Sequence, residues 1–106
     1  MTDLEITTLC AKAMGIRLDA DMLADGVIGY WDEEGSGRGY SPLHDDAQAM
    51  ALIRRLQLCI QPPEAIGVMA WHVWKFHKPN HTAVSDDLNR AICECVAKAQ
   101  NAKVAR

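Results

Sequence analysis

The residues of this 106-residue chain whose type and spacing best suit chemistry are His72, His77 and His81, with His44 further upstream. Imidazole nitrogens suit zinc or copper, and the short spacings from His72 to His77 to His81, across a strand end and a turn, bring two rings within reach of one ion. Such a centre still needs a defined third ligand and groups that orient the rings. Neither an HExxH helix nor a cysteine pair accompanies these histidines. The competing reading is one half-buried strand histidine and two loop histidines facing solvent.

Two acidic pairs, Asp45-Asp46 and Asp86-Asp87, have the composition of acid–base or magnesium carboxylates. Each pair opens a predicted helix, where a carboxylate already serves the free backbone donors. Gly35-Ser36-Gly37 looks like the start of a phosphate loop, but no helix and no lysine–hydroxyl pair follows it. A hairpin or surface loop is the simpler reading. A nucleophilic cysteine needs a depressed pKa and some exposure. Cys10 and Cys95 fall instead in apolar stripes, and Cys93 and Cys95, two apart on a helix, point to different faces and cannot chelate together. Residues 1–16 carry Asp3 and Glu5 and no continuous apolar stretch, so they read as neither a secretory signal nor a membrane span. A cytoplasmic, reducing address follows, in which all four cysteines stay free thiols.

Trp31, Trp71, Trp74, Tyr30 and Tyr40 could stack on bases, anchor a partner or fill a core. A net charge of −3, with few Arg or Lys among the aromatics, argues against nucleic acid and against an anionic membrane. Arg54-Arg55 is the one adjacent basic pair in the body of the chain. With 49% hydrophobic and 24% charged residues, the chain has an ordinary globular balance, and its length suits one domain with one modest core, residues 1–106.

The elements that must position these residues follow from periodicity and caps. A first helix spans residues 3–14, with Ile6, Leu9, Cys10 and Ala13 inward, and ends at Gly15. Residues 16–25 read as either a short helical turn or an irregular crossing. Residues 27–31 are β-branched and aromatic, a strand, followed by a flexible acidic and glycine-rich turn through residue 39. A hydroxyl, a proline and carboxylates at 41–46 start a helix over 45–56 with Ala49, Leu52, Ile53 and Leu56 inward. Residues 58–61 form a short strand stopped by Pro62-Pro63. Residues 66–76 form the longest strand, with His72, Trp74 and Phe76 on one face and Trp71, Val73 and Lys75 on the other. Neither face is polar, so the strand is central in a sheet covered on both sides, or a partner covers one of them. Residues 78–81 make a turn and Ala83-Val84 a brief edge pairing. A last helix over 86–100 buries Leu88, Ala91, Ile92, Cys95, Val96 and Ala99 and turns Asn89, Glu94, Lys98 and Gln100 outward, and residues 101–106 fray.

The stretches YSPLHDDAQAMALIRRLQLCI (residues 40–60) and DDLNRAICECVAKAQ (residues 86–100) resemble small tailed-phage and prophage proteins of the phage α/β/α sandwich domain. They are also similar to short NinX-like phage proteins. An aromatic-Ser/Asn-Pro step into an acidic helix start, a strand, and a closing helix opening on an Asn-Arg-Ala sequence carry the likeness, which covers nearly the whole chain. It implies a compact sandwich and a phage or prophage origin, and it brings no catalytic or binding residues with it.

The expected fold is α+β, three helices flanking a small, mostly antiparallel sheet. The expected function is that of a non-enzymatic phage or prophage accessory protein that binds a protein partner in the host cytosol through Trp71, Trp74 and Phe76, with a two-fold homodimer as one form of that contact. No cofactor is called for. The alternative is a metal-binding protein or metal-dependent enzyme using His72, His77 and His81.

Overall fold

A computed structural model describes residues 1–24, 27–63, 70–76 and 78–104. In chain order the elements are α1 (Asp3–Met14), β1 (Asp19–Ala24), β2 (Val27–Trp31), β3 (Gly37–Tyr40), α2 (Asp46–Leu56), β4 (Leu58–Gln61), β5 (Trp71–Lys75), β6 (Lys78–Ser85) and α3 (Leu88–Val104). The α+β class with antiparallel pairing is as the sequence predicts. The strands, however, form two three-stranded sheets, β1-β2-β3 and β4-β5-β6.

The helix ends follow local chemistry. The Thr2 hydroxyl accepts from the Glu5 amide at 3.1 Å, and Gly15 turns left-handed at φ 72° to close α1. Asp45 caps α2 by accepting from the Gln48 amide at 3.0 Å. Asp87 caps α3, its Oδ1 accepting from the Asn89 amide at 3.1 Å. The three helix starts are tied together. Arg90 reaches Asp3 at 3.1 Å, and the Asn89 amide group donates to Asp46 at 2.8 Å.

Helix α3 is the centre of the molecule. Ala91, Ile92, Cys95, Val96 and Ala99 are buried as the stripe predicts, but so are Cys93 and Ala97 on its flank. A helix buried on most of its circumference must have neighbours on several sides. Here α1 lies along the Cys93 side, where the Cys10 thiol is 3.5 Å from the Cys93 carbonyl. Strand β6 lies along the Cys95 side, with that thiol 3.2 Å from the His81 carbonyl. The two cysteines do face different neighbours. Small side chains at Cys93 and Ala97 allow α1 to approach closely, and Leu52, Leu58, Val73 and Ala83 complete the core. The outward remainder of α3 carries Arg90, Glu94 and Lys98, with Arg90 paired to Glu94 at 3.0 Å. The helix also continues to Val104, past the expected fraying point.

Three segments differ from the sequence expectation. Residues 19–24 are an edge strand rather than a turn or crossing, although Asp is poor strand material; the edge position leaves Asp19 free to take the Trp31 indole N–H at 3.1 Å. Residues 37–40 form a strand because the glycines make room. A Cβ on Gly29 or Gly37 would come within 3.0 Å or 2.9 Å of the Met22 methyl, which lies across them. Residues 78–81 are strand rather than turn, on an edge strand whose pairing with β5 shifts register between Trp74 and Lys75. Of the expected strand 66–76, residues 71–75 are strand and central in their sheet, while residues 66–69 lie outside the described residues.

The β1-β2-β3 sheet joins the core chiefly through Tyr30 and Tyr40, whose rings meet edge-on at 6.1 Å. Tyr40 is 3% exposed, and its hydroxyl has no hydrogen-bond partner among the described residues. A buried hydroxyl without a partner costs about 1–3 kcal/mol of desolvation. Tyr40→Phe is therefore expected to keep the domain's stability or raise it by about 1 kcal/mol. Denaturant titration checks this, and a clear loss of stability would show that the hydroxyl is satisfied in solution.

Candidate functional site

The sequence offers carboxylates, thiols, histidines, a glycine loop and aromatics, and the fold occupies most of them structurally. Asp45 and Asp87 are caps, and Asp46 holds Asn89. In the loop after β2, the carboxylate of Asp32 takes the amides of Glu34 at 3.0 Å and Ser36 at 2.8 Å. The amide of Gly35 goes to the Asp32 carbonyl at 3.0 Å. The donors that would cradle a phosphate are thus already engaged. The Arg38 side chain, at 2.6 Å, is the main influence holding the Asp32 carboxyl below the usual carboxylate range.

All four cysteines are free, and Cys10, Cys93 and Cys95 are buried. The adjacent Cys10 thiol, and then burial, push the Cys93 thiol far above its ordinary value. Burial pushes Cys95 up to about 11. Thiols held protonated are poor nucleophiles and poor metal ligands at neutral pH. Cys59, half-buried, lies on the other side of the β4-β5-β6 sheet.

His72 lies on β5 with Nε2 at 3.1 Å from the Thr82 hydroxyl. His81 belongs to β6 beside the bulge, His44 is exposed before α2, and His77 lies outside the described residues. Among the described residues, no three His, Cys, Asp or Glu side chains are grouped to hold a metal.

The aromatic residues remain. Strand alternation in β5 separates the two tryptophans. Val73 is fully buried and Trp71, on the same side, packs against the core. Trp74 and His72 lie on the opposite side, ring to ring at 5.2 Å. Pairing adds the neighbours of this outer face. Cys59 stands opposite Trp74 and Gln61 opposite His72, with Thr82 and Val84 across from them on β6. Trp74 is half-buried, Val84 is 55% exposed and Phe76, just beyond the strand, 64%. The helix contacts of β5 and β6 are mainly with α3, on the Val73 and Ala83 side. Of the three residues expected at a partner surface, Trp74 lies on the outer face, Phe76 is exposed just beyond β5, and Trp71 belongs to the core side. Cys59, Gln61, Thr82 and Val84 escaped the sequence reading because they join the face only through strand register.

Compared with known proteins, the chain matches no family model, no curated protein and no solved structure. Its chemistry must be read from its own geometry. Among the described residues no helix is long and apolar enough to cross a membrane. What stands out is a mixed sheet face in which Trp74, Val84 and Cys59 lie among His72, Gln61 and Thr82.

Burial sorts the thiols into two groups. Brief treatment of the native protein with iodoacetamide is expected to alkylate Cys59 and spare Cys10, Cys93 and Cys95, all of which react after denaturation. Peptide mass spectrometry reads the pattern. Native labelling at Cys93 or Cys95 would show that α3 is not packed as described.

Proposed function

We propose that this chain is a non-enzymatic accessory protein of a phage or prophage that binds a protein partner in the bacterial host cytosol. The observation that carries the binding reading is the outer face of the β4-β5-β6 sheet, where Trp74 and Val84 lie on the side away from α3. Tryptophan at the middle of a mixed apolar and polar surface is the residue type that anchors protein interfaces. His72, Gln61 and Thr82 supply hydrogen-bonding groups around it. Phage or prophage origin rests on the likeness of residues 40–60 and 86–100 to small phage proteins. The non-enzymatic reading is supported by the engagement of Asp32, Asp45, Asp46 and Asp87 in caps, tethers and a loop.

The reading is tested by affinity capture from phage-infected or prophage-induced bacteria, comparing the native chain with Trp74→Ala. A specific partner is expected with the native protein. Its affinity should fall by ~30-fold, about 2 kcal/mol, in the variant, with far-ultraviolet circular dichroism unchanged. A partner that binds both proteins equally would remove Trp74 from the interface. Turnover of a small molecule by the purified protein would overturn the non-enzymatic reading.

A further inference from the structure

A second surface, sharing no residue with the Trp74 face, runs along the exposed side of α2. A shallow groove of about 700 Å³ is lined by Met14, Ala47, Met50, Ala51, Arg54 and Arg55. An adjoining hollow of about 650 Å³ shares Met14, Ala47 and Ala51 and extends the groove to Ile16, Tyr30 and Gln48. The shared floor is apolar, and Met50 is 43% exposed. Methionine is the side chain that best adapts to apolar groups of varied shape.

One end of the groove is cationic. Arg38 is neutralised by Asp32 and Arg90 by Asp3 and Glu94. Arg54 and Arg55, both exposed, make no ion pair among the described residues. Two adjacent guanidinium groups therefore stand beside an apolar trough in a chain whose net charge is −3. Asp45, at the other end of the hollow, gives the groove a charge direction.

From this juxtaposition we infer that the groove receives an acidic segment of a partner protein. Its carboxylates would meet Arg54 and Arg55, and an apolar side chain would lie between Met14 and Met50. Guanidinium groups bind carboxylates through paired hydrogen bonds, which gives direction as well as attraction. A protein segment fits better than nucleic acid, because the lining that Arg54 and Arg55 share with Met14 and Met50 carries no aromatic ring on which a base would stack, and Tyr30 and Tyr40 line the adjoining hollow instead. This binding is separate from the Trp74 face, so loss of either leaves the other standing.

The test uses the full chain, labelled with ¹⁵N, and three probes. The first is a short synthetic peptide with a central leucine pair flanked by glutamates. The second replaces its glutamates with lysines, and the third is a single-stranded oligodeoxynucleotide. The acidic peptide is expected to shift the amide signals of Met14, Ala47, Met50, Ala51, Arg54 and Arg55 saturably, and the lysine peptide is not. The double variant Arg54→Glu, Arg55→Glu should weaken the acidic peptide by ~10-fold or more and favour the lysine peptide. Both positions are exposed, so the variant's spectrum should otherwise match that of the native fold. The proposal is overturned by an absent or non-saturating response to the acidic peptide, by equal responses to both peptides, or by shifts centred elsewhere. A stronger response to the oligonucleotide would make the groove a nucleic-acid site and also overturn it. The Trp74→Ala variant should bind the acidic peptide as the native chain does, which separates this result from the fate of the other face.

Discussion

The burial of α3 on most of its circumference is the constraint from which the rest of the structure follows. A helix can be enclosed in this way because its backbone donors and acceptors satisfy one another internally. Its side chains must then match several neighbours at once. Ile92 and Val96 supply bulk, each worth about 1.5–3 kcal/mol when fully buried, while Cys93, Cys95, Ala97 and Ala99 keep the flanks thin enough for α1 and β6 to lie close. The polar tethers sit at the helix starts, where Arg90 and Asn89 fasten α3 to α1 and α2. Such exposed pairs contribute little energy individually, and their role is to fix orientation.

That arrangement also sets what is left for function. Carboxylates that might have served as acids or bases are occupied by caps and tethers. Three of the four thiols, Cys10, Cys93 and Cys95, are buried around α3, and Cys59 alone is half-buried on the outer side of its sheet. With α3 on the inner side of the β4-β5-β6 sheet, the outer side keeps its tryptophan, valine and histidine for other contacts. The α2 surface keeps Met50, beside Met14 of α1, and two arginines that make no ion pair among the described residues. Both surfaces are suited to recognition, and they differ in kind, one aromatic and the other apolar with cations at one end.

Where periodicity and caps agree, the sequence was readable. Helix α1 follows from a stripe closed by Gly15, α2 from a stripe opened by the carboxylates at 45–46, and β2 and β4 from their apolar, β-branched composition. Strands β1 and β3 and the first half of β6 were hidden for a common reason. Asp19, Gly37 and Pro79 are tolerated only because of cross-strand neighbours or edge positions that local composition does not reveal. The near-complete enclosure of α3 was hidden as well, since small residues at Cys93 and Ala97 look like a neutral flank until a second helix is known to press on them. Alternation along residues 71–75 separated Trp71 from Trp74, but membership of Cys59 and Val84 in the same face needed the register. The histidine cluster was suggested by spacing alone. In the fold, His72 meets the Thr82 hydroxyl and the Trp74 ring.

Native-state hydrogen exchange resolved by residue tests the central claim, that α3 organises the molecule, most directly. Amides in the middle of α3, around Ile92 to Ala97, are expected to exchange only through global unfolding and to be the slowest in the chain. Amides of β1, β2 and β3, joined to the core mainly through Tyr30 and Tyr40, should exchange faster through local opening. Equal or greater protection in the β1-β2-β3 sheet than in α3 would contradict the account.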